Sequence, residues 1–423
     1  MSPSPHRISV TSFAGLAAGE GGAQAVAELC AAQESKHRLL VRLLVAEAGA
    51  HRHGALVARA YEALSQMEAD APEEVGRLLR HPALGSWALS TCQGHAEPGR
   101  LAAVALALAV RTRTACRLEV PVGGSLMLPS IGLLSLPGDL PEVAEVTVEP
   151  AAGGAELRVG GRTYLVDVSG DRPGWQVLHR VSVAPGVSMT IDDLDPYRWP
   201  GDDADGRLTG ERRRRWASCL HEAWEILRSR HRTVAGEVAA AVSVLTPVVA
   251  RSAEQYSASA RVTFGTIALS DPIDGIGMAL TLAHELQHAK LDALSAVVEL
   301  TLPDDGRRFY APWRPDPRPL FSLLHGAYAH AGVAGFWRRH IQDAEHGPRA
   351  QVEFARWREA AHQATGTLLD SGGLTEPGTQ FVATLRDTLG RWRAEPVTPD
   401  AAAQARLQSE HHREAWVRTN TQV

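Results

Sequence analysis

The pattern of hydrophobic and polar positions divides the chain into three regions. Residues 23–115 are rich in Ala and Leu at helical spacing. From Cys116 to about residue 200, apolar and polar residues alternate with a period of two between Gly- and Pro-containing turns, which indicates short antiparallel strands. Helical spacing returns after GDDADG (201–206). We therefore predict an α+β, mostly helical fold with an N-terminal helical region (1–115), a small antiparallel β unit (116–200) and a helical C-terminal region (201–423).

The most informative stretch of the third region is TLAHELQHAKLDAL (281–294). It contains His284-Glu285-Leu286-Gln287-His288, the pattern H-E-x-x-H, inside a helix predicted from about Ile276 to Leu300. Residues four positions apart lie on one face of a helix, so His284 and His288 can bind the same metal ion. Glu285 follows the first histidine and can reach a metal-bound water molecule. The stretch therefore predicts a metal site on an apolar helix.

Two ligands do not complete such a site, because catalytic zinc and non-haem iron both need a third protein ligand and an open position. Glu299 follows three turns later on the same predicted helix, about 16 Å along its axis, and cannot reach back. The next predicted helix carries His325 and His330 in LLHGAYAH. We predict His330 as the third ligand, because the small residues around it let two helices approach closely. His325 is the alternative.

A proline-rich loop, YAPWRPDPRP (310–319), joins the two predicted metal-binding helices. Its four prolines favour an extended backbone, and it carries Arg314 and Arg318. A guanidinium group binds a carboxylate through two parallel hydrogen bonds. One interpretation is that these arginines hold an acidic cosubstrate or a substrate terminus. The alternative is a surface loop with solvated arginines.

Composition and charge narrow the class of protein. Hydrophobic residues make up 44% and charged residues 22% of the 423 residues, and the net charge is −5. These values are typical of a soluble globular protein and give no reason to expect nucleic acid or a membrane as a partner. The longest apolar run, LAAVALALAV (101–110), is shorter than the roughly 20 residues that span a bilayer, so we predict a buried helix. Neither composition nor charge indicates the oligomeric state.

The cysteines and the N-terminal residues indicate the cellular compartment of the protein. The chain has four widely spaced cysteines and no C-x-x-C pair, which favours reduced thiols over a disulfide framework or a zinc knuckle. The first residues show no charged start followed by an apolar run, so we expect no signal peptide. Together these features predict a cytoplasmic protein.

Several stretches, taken in order, resemble the bacterial HExxH-type α-ketoglutarate-dependent peptide β-hydroxylases, also described as HExxH-motif-containing peptide-modification proteins. The resemblance spans most of the chain and is carried by SKHRLLVRLL, LMLPSIG, IDDLDPYR, TFGTIALSDP, TLAHELQHAKLDAL, YAPWRPDPRPL and GAYAHAGVAGFWR. It implies Fe(II), α-ketoglutarate and O₂ as cofactors, and a precursor peptide made by the ribosome as the substrate, hydroxylated at a β-carbon.

On that resemblance, we expect His284, His288 and His330 to bind iron and Arg314 or Arg318 to hold the cosubstrate. Glu285 would then orient a ligand or a water molecule instead of acting as a hydrolytic base. Two other functions fit the residues. The first is a zinc metallopeptidase with Glu285 as the general base. The second is a non-catalytic partner in peptide maturation whose metal is structural.

Overall fold

The structure is a computed structural model that describes residues 6–250 and 255–420. It confirms the predicted class: the fold is mixed α+β and mostly helical, with 55% helix and 16% strand. The described residues form thirteen α-helices: α1 (Val10–Ala17), α2 (Gly22–Glu47), α3 (Gly54–Asp70), α4 (Pro72–Leu79), α5 (Pro82–Cys92), α6 (Leu101–Thr112), α7 (Gly210–Arg230), α8 (Arg232–Ala241), α9 (Gly275–Ser295), α10 (Leu320–Arg338), α11 (Gly347–Asp370), α12 (Glu376–Arg393) and α13 (Pro399–Asn420).

The strands form three small sheets. They are β1 (Cys116–Pro121), β2 (Ser125–Leu128), β3 (Gly132–Ser135), β4 (Val143–Ala151), β5 (Gly154–Val159), β6 (Arg162–Asp167), β7 (Trp175–Val177), β8 (His179–Ala184), β9 (Val187–Ile191), β10 (Val244–Pro247), β11 (Ser257–Ala258) and β12 (Thr266–Leu269). The sheet orders are β1-β4-β5-β6, β2-β3-β7 and β11-β12-β10-β9-β8. The first two sheets are antiparallel, as the period-two pattern predicts. In the third, β10 pairs in parallel with both β9 and β12, a pairing that the sequence analysis did not predict.

The described fold separates into two compact units that do not follow chain order. One comprises Met1–Ala32, Ser218–Ala241 and Pro272–Val423, and the other comprises Gln33–Ala217 and Val242–Asp271. We call them the histidine-motif unit and the sheet unit. The predicted division into three consecutive regions describes where helical and strand patterns occur along the chain, and it stays a prediction as a statement about domains.

The core of the sheet unit is built around α6. Every residue from 101 to 110 is buried, so the run LAAVALALAV is the buried helix that the sequence predicts. Its neighbours in this core are apolar residues of α3 and of the β1-β4-β5-β6 sheet. The strands of this sheet bury alternate residues in the core. No helix among the described residues reaches the length and apolar character needed to cross a bilayer.

In the histidine-motif unit, α9 packs against α8 and α10, and α10 packs in turn against α11. Lys290 of α9 is buried and donates hydrogen bonds to a carboxylate oxygen of Glu237 at 2.8 Å and to the carbonyl of Glu20 at 3.0 Å. A buried ammonium group is tolerated only when it is paired in this way. The pair joins α9 to α8 and to the segment that follows α1.

The predicted boundary of the motif helix is wrong at one end. The helix begins at Gly275, where the Asp274 side chain accepts a hydrogen bond from the Gly277 amide at 2.7 Å, close to the predicted start. It ends at Ser295 and not near Leu300. Beyond the end of the helix, the amides of the β-branched residues Val297 and Val298 both donate hydrogen bonds to the Leu294 carbonyl in a turn.

Candidate metal centre

The HExxH motif lies in the middle of α9, on a helix that is buried along most of its length. Leu282 and Leu286 of the motif segment are 0% and 1% exposed, so the helix is held in place by apolar packing on both sides of the histidines. The helical spacing of the motif is therefore realised in a rigid element, as a preorganised site requires.

His284 and His288 place their Nε2 atoms 3.2 Å apart, with ring planes at 89° to each other. Two imidazole nitrogens that bind one ion at about 2.1 Å, at right or tetrahedral angles, are separated by about 3.0–3.4 Å. The separation in the structure lies in that range. The motif thus brings two imidazole nitrogens together at a spacing that suits one ion, and their binding of a metal stays a prediction.

Both imidazoles are suited to bind a cation because they are neutral near pH 7. Burial lowers the pKa of His284 and holds the pKa of His288 well below its usual range, and nearby histidines lower the latter further. A neutral imidazole offers a lone pair to a metal, whereas a protonated one does not. Within residues 6–250 and 255–420, the Nδ1 atoms of both rings are buried without a hydrogen-bond partner, while the two Nε2 atoms face each other.

Glu285 lies beside this pair of nitrogens. Its side chain is 3% exposed, and one carboxylate oxygen is 3.9 Å from His284 Nε2. That distance is too long for a hydrogen bond. The carboxylate therefore adjoins the metal-facing side of His284, where it can contact a bound water molecule or orient a ligand.

His330, the predicted third ligand, lies on α10 next to the first motif histidine. Its ring centroid is 5.4 Å from that of His284, at an interplanar angle of 81°. Its Nδ1 lies 2.9 Å from the Gly326 carbonyl, which can only accept, so Nδ1 carries the proton and the lone pair is on Nε2. Burial lowers the pKa of His330 to about 3.

His325, the alternative ligand, lies against the other motif histidine in a different way. Its ring stacks on that of His288, with centroids 4.3 Å apart and planes at 23°. Because the two rings are nearly parallel, the lone pairs of their nitrogens lie in separate planes and do not converge on one point. Its Nε2 is 3.3 Å from an oxygen of Asp292. These orientations favour His330 over His325.

The third ligand nevertheless stays a prediction, because the four histidines do not form a closed cluster. In the part of the chain that the structure describes, the one group of three or more ligating side chains with all ligand atoms within 4.8 Å of one another is His51, His53 and Glu97. The motif pair and either His325 or His330 therefore include at least one longer separation.

The proline-rich loop contacts the site through Trp313. Its indole stacks on the ring of His330, with centroids 4.5 Å apart and planes at 14°. A Cβ atom at Gly326 would lie 2.3 Å from the indole nitrogen, so only glycine leaves room for this ring. Trp357 of α11 packs on His330 from another direction at 4.6 Å. Two indoles thus pack against the histidine from different directions.

The two loop arginines have a partner within their own loop. Arg314 Nε is 3.3 Å from one oxygen of Asp316, and Arg318 donates a 2.7 Å hydrogen bond to the other. The Arg318 hydrogen bond lowers the pKa of the Asp316 carboxyl. The Arg314 side chain is 54% exposed. The predicted carboxylate clamp stays a prediction, and in this arrangement Asp316 already occupies both guanidinium groups.

Sequence reasoning missed Arg356, a cation on α11. Its guanidinium lies over the Trp357 ring at 4.3 Å, and its charge helps to lower the pKa of His330. It makes a long hydrogen bond of 3.4 Å to Gln408. No signal in the sequence points to it, because the contact between α10 and α11 that brings it near the histidine is tertiary.

The arrangement can bind a divalent metal ion through two or three neutral imidazoles, with a buried carboxylate and enclosing indoles beside them. We compared the chain with known proteins. No family model matches it, and no curated protein sequence matches it.

Proposed function

We propose that the chain is an Fe(II)- and α-ketoglutarate-dependent hydroxylase that acts on a β-carbon of a ribosomally synthesised precursor peptide. The observation that carries the metal-dependent part is the pair of neutral histidines whose Nε2 atoms lie 3.2 Å apart on a buried helix. The cosubstrate and the peptide enter through the resemblance described above.

The donor set fits iron. Imidazole nitrogen is a ligand that iron accepts, and a site with few protein ligands leaves positions for a bidentate keto acid and for O₂. Bound iron would supply the oxidising chemistry, in which α-ketoglutarate loses CO₂ to become succinate, one oxygen atom of O₂ ends in succinate and the other converts a peptide C–H bond to C–OH.

The protein's own residues would bind, orient and shield. His284 and His288 would hold the ion, and His330 would supply the third ligand. Trp313 and Trp357 pack on the third ligand and reduce its contact with solvent. Arg356 joins Arg314 and Arg318 as a candidate to bind the far carboxylate of the cosubstrate, because its charge acts on His330 and its hydrogen bond to Gln408 is long.

A zinc metallopeptidase is the second candidate, and the position of Glu285 is compatible with it. A carboxylate oxygen 3.9 Å from the metal-facing nitrogen of His284 is close enough to contact a metal-bound water and accept its proton. The same carboxylate in an oxygenase orients a water or a ligand, so its position alone does not distinguish the two functions.

The deciding experiment loads the full chain with Fe(II) under anaerobic conditions and then adds α-ketoglutarate, O₂ and a candidate peptide encoded beside the gene. We expect succinate to form and the peptide to gain one oxygen atom without becoming shorter, as measured by mass spectrometry. A shortened peptide with zinc, and no succinate with iron, would replace the hydroxylase by the peptidase.

Two controls make the result specific. The His284→Ala variant, which lacks one motif nitrogen, should form no succinate. The His95→Ala variant, which lacks an exposed histidine of the sheet unit, should behave like the parent. Metal bound at the motif with neither succinate nor cleavage would favour the non-catalytic maturation partner.

A further inference from the structure

A second group of metal-ligating side chains lies in the sheet unit, outside the HExxH helix. His51 follows the short 3₁₀ turn Ala48–Ala50, His53 directly precedes α3, and Glu97 directly precedes the 3₁₀ turn Pro98–Arg100. His51 Nε2 is 3.5 Å and His53 Nδ1 is 3.6 Å from the same carboxylate oxygen of Glu97, Oε2. All three ligand atoms lie within 4.8 Å of one another.

We propose that His51 Nε2, His53 Nδ1 and Glu97 Oε2 bind a divalent ion of the zinc type, which joins the turn before α3 to the loop before α6. Ligand atoms around zinc at about 2.1 Å in tetrahedral geometry lie about 3.4 Å apart, close to the two separations in the structure. This inference is independent of the proposed hydroxylase, since its residues belong to the other unit.

The strongest support is the state of His53. Its side chain is 7% exposed, and its Nδ1 is buried with no hydrogen-bond partner among the described residues. A buried ring nitrogen that faces a carboxylate without a hydrogen bond is suited to accept a metal ion. Burial and the neighbouring Arg52 lower the pKa of His53, which leaves this ring neutral.

Space for that ring depends on Gly99. A Cβ atom at this position would lie 2.9 Å from His53 Nδ1 and 2.6 Å from Pro121. The backbone of Gly99 therefore packs close beside His53 Nδ1, where a larger residue would displace the ring.

Glu97 is divided between two partners. Its second oxygen, Oε1, is 3.6 Å from the Arg52 guanidinium, which is itself held by Glu142 at 2.9 Å. The contact with Arg52 leaves Oε2 directed at the two imidazoles. Because Glu97 is 59% exposed, the ion would lie at the protein surface, with water in its remaining position, as in a structural or regulatory site.

Binding requires a change of tautomer at His51. Its Nδ1 accepts a hydrogen bond from the His53 amide at 3.1 Å, so the neutral ring carries its proton on Nε2. When a metal ion takes Nε2, the proton has to move to Nδ1, and this hydrogen bond is lost. The His51 side chain is 33% exposed, so solvent can exchange the proton.

The test counts zinc ions bound per chain by the full-length protein, with zinc alone as the probe. We expect His53→Ala to bind one ion fewer than the parent and the matched control His95→Ala to bind as many as the parent. The double variant H284A/H288A, which lacks the motif site, should keep one ion and should lose it when His53→Ala is added. Glu97→Gln should weaken that binding by about tenfold or more.

Equal zinc stoichiometry in His53→Ala and the parent would overturn the proposal, as would an equal loss in His95→Ala. If H284A/H288A does not fold, the comparison of His53→Ala with the parent still decides. Thermal unfolding gives an independent readout, because an ion that binds only the folded state raises the midpoint. Zinc should raise the midpoint less in His53→Ala than in His95→Ala.

Discussion

The two candidate metal sites of this protein are built in opposite ways. On α9, two histidines on adjacent turns of one buried helix are brought together by helical geometry alone. In the sheet unit, His51, His53 and Glu97 come from loops up to 46 positions apart, and two of the three side chains are substantially exposed. A motif predicts the first kind of site, whereas only tertiary structure reveals the second. The first site has two ligands on one buried helix and needs a third, whereas the second has three ligands, of which His53 is buried and Glu97 is exposed.

The largest effect that tests this contrast concerns the third ligand of the helical site. We expect His330→Ala to lose most of its bound iron and all turnover, because α9 supplies only two nitrogens. His325→Ala, the matched control on the same helix, should keep its iron, since its ring is stacked on His288. Iron content is measured by elemental analysis and turnover by succinate formation. Equal iron in the parent and in His330→Ala would contradict the assignment.

A smaller effect is expected where the loop packs on the site. In Gly326→Ala the new methyl group would displace Trp313 from His330. Misplaced enclosing groups cost catalysis more than metal binding, so we expect turnover to fall by about 10²-fold with the iron content preserved. An unchanged rate would mean that the indole plays no part in catalysis. Gly390→Ala, on α12 with open space around the new Cβ, is the control.

The cosubstrate clamp separates Arg356 from the loop arginines. We expect Arg356→Ala to raise the α-ketoglutarate concentration for half-maximal turnover by about 30-fold, which corresponds to about 2 kcal/mol of lost carboxylate binding. Arg314→Ala should change it little, because Arg314 is exposed and already paired with Asp316. Iron content should match the parent in both variants. The reverse ranking would return the clamp to the proline-rich loop.

The smallest effect concerns His81, a buried histidine outside both candidate metal sites, and its effect on the free energy of unfolding. Burial lowers the pKa of His81 to about 4, and both its ring nitrogens lack hydrogen-bond partners among the described residues. Between pH 6.5 and 4 the unfolded chain binds one more proton at this residue than the folded chain, so the free energy of unfolding falls as the pH falls through this window. His81→Leu removes this loss.

We therefore compare the free energy of unfolding of His81→Leu with that of the parent at two pH values. The variant's advantage over the parent should be larger at pH 5 than at pH 7.5, by up to about 2 kcal/mol. Urea denaturation at the two pH values measures the difference. His95→Leu, at an exposed position, should show no such dependence. Parallel pH profiles for His81→Leu and the parent would place the acid sensitivity in other groups.

The local features of the fold could be predicted from the sequence, whereas its tertiary features could not. Helical spacing predicted α6 as a buried helix and paired His284 with His288, because both depend on residues a few positions apart. Arg356 could not be found this way, since it is brought near His330 by the packing of α11 on α10. The interleaved units and the parallel pairing of β10 also escaped prediction, because each depends on segments separated by intervening elements.

The buried pair of Lys290 and Glu237 offers a way to measure the opening of the motif helix α9. The chain has two lysines, and the ammonium group of Lys290 is 1% exposed, two residues after His288. Amine-reactive reagents can modify this group only when α9 separates from α8, so the rate of its acylation measures the opening of the metal-binding helix. A metal ion that ties α9 to α10 should slow this reaction. Acylation mapped to a single peptide would thus record binding at the motif without any substrate.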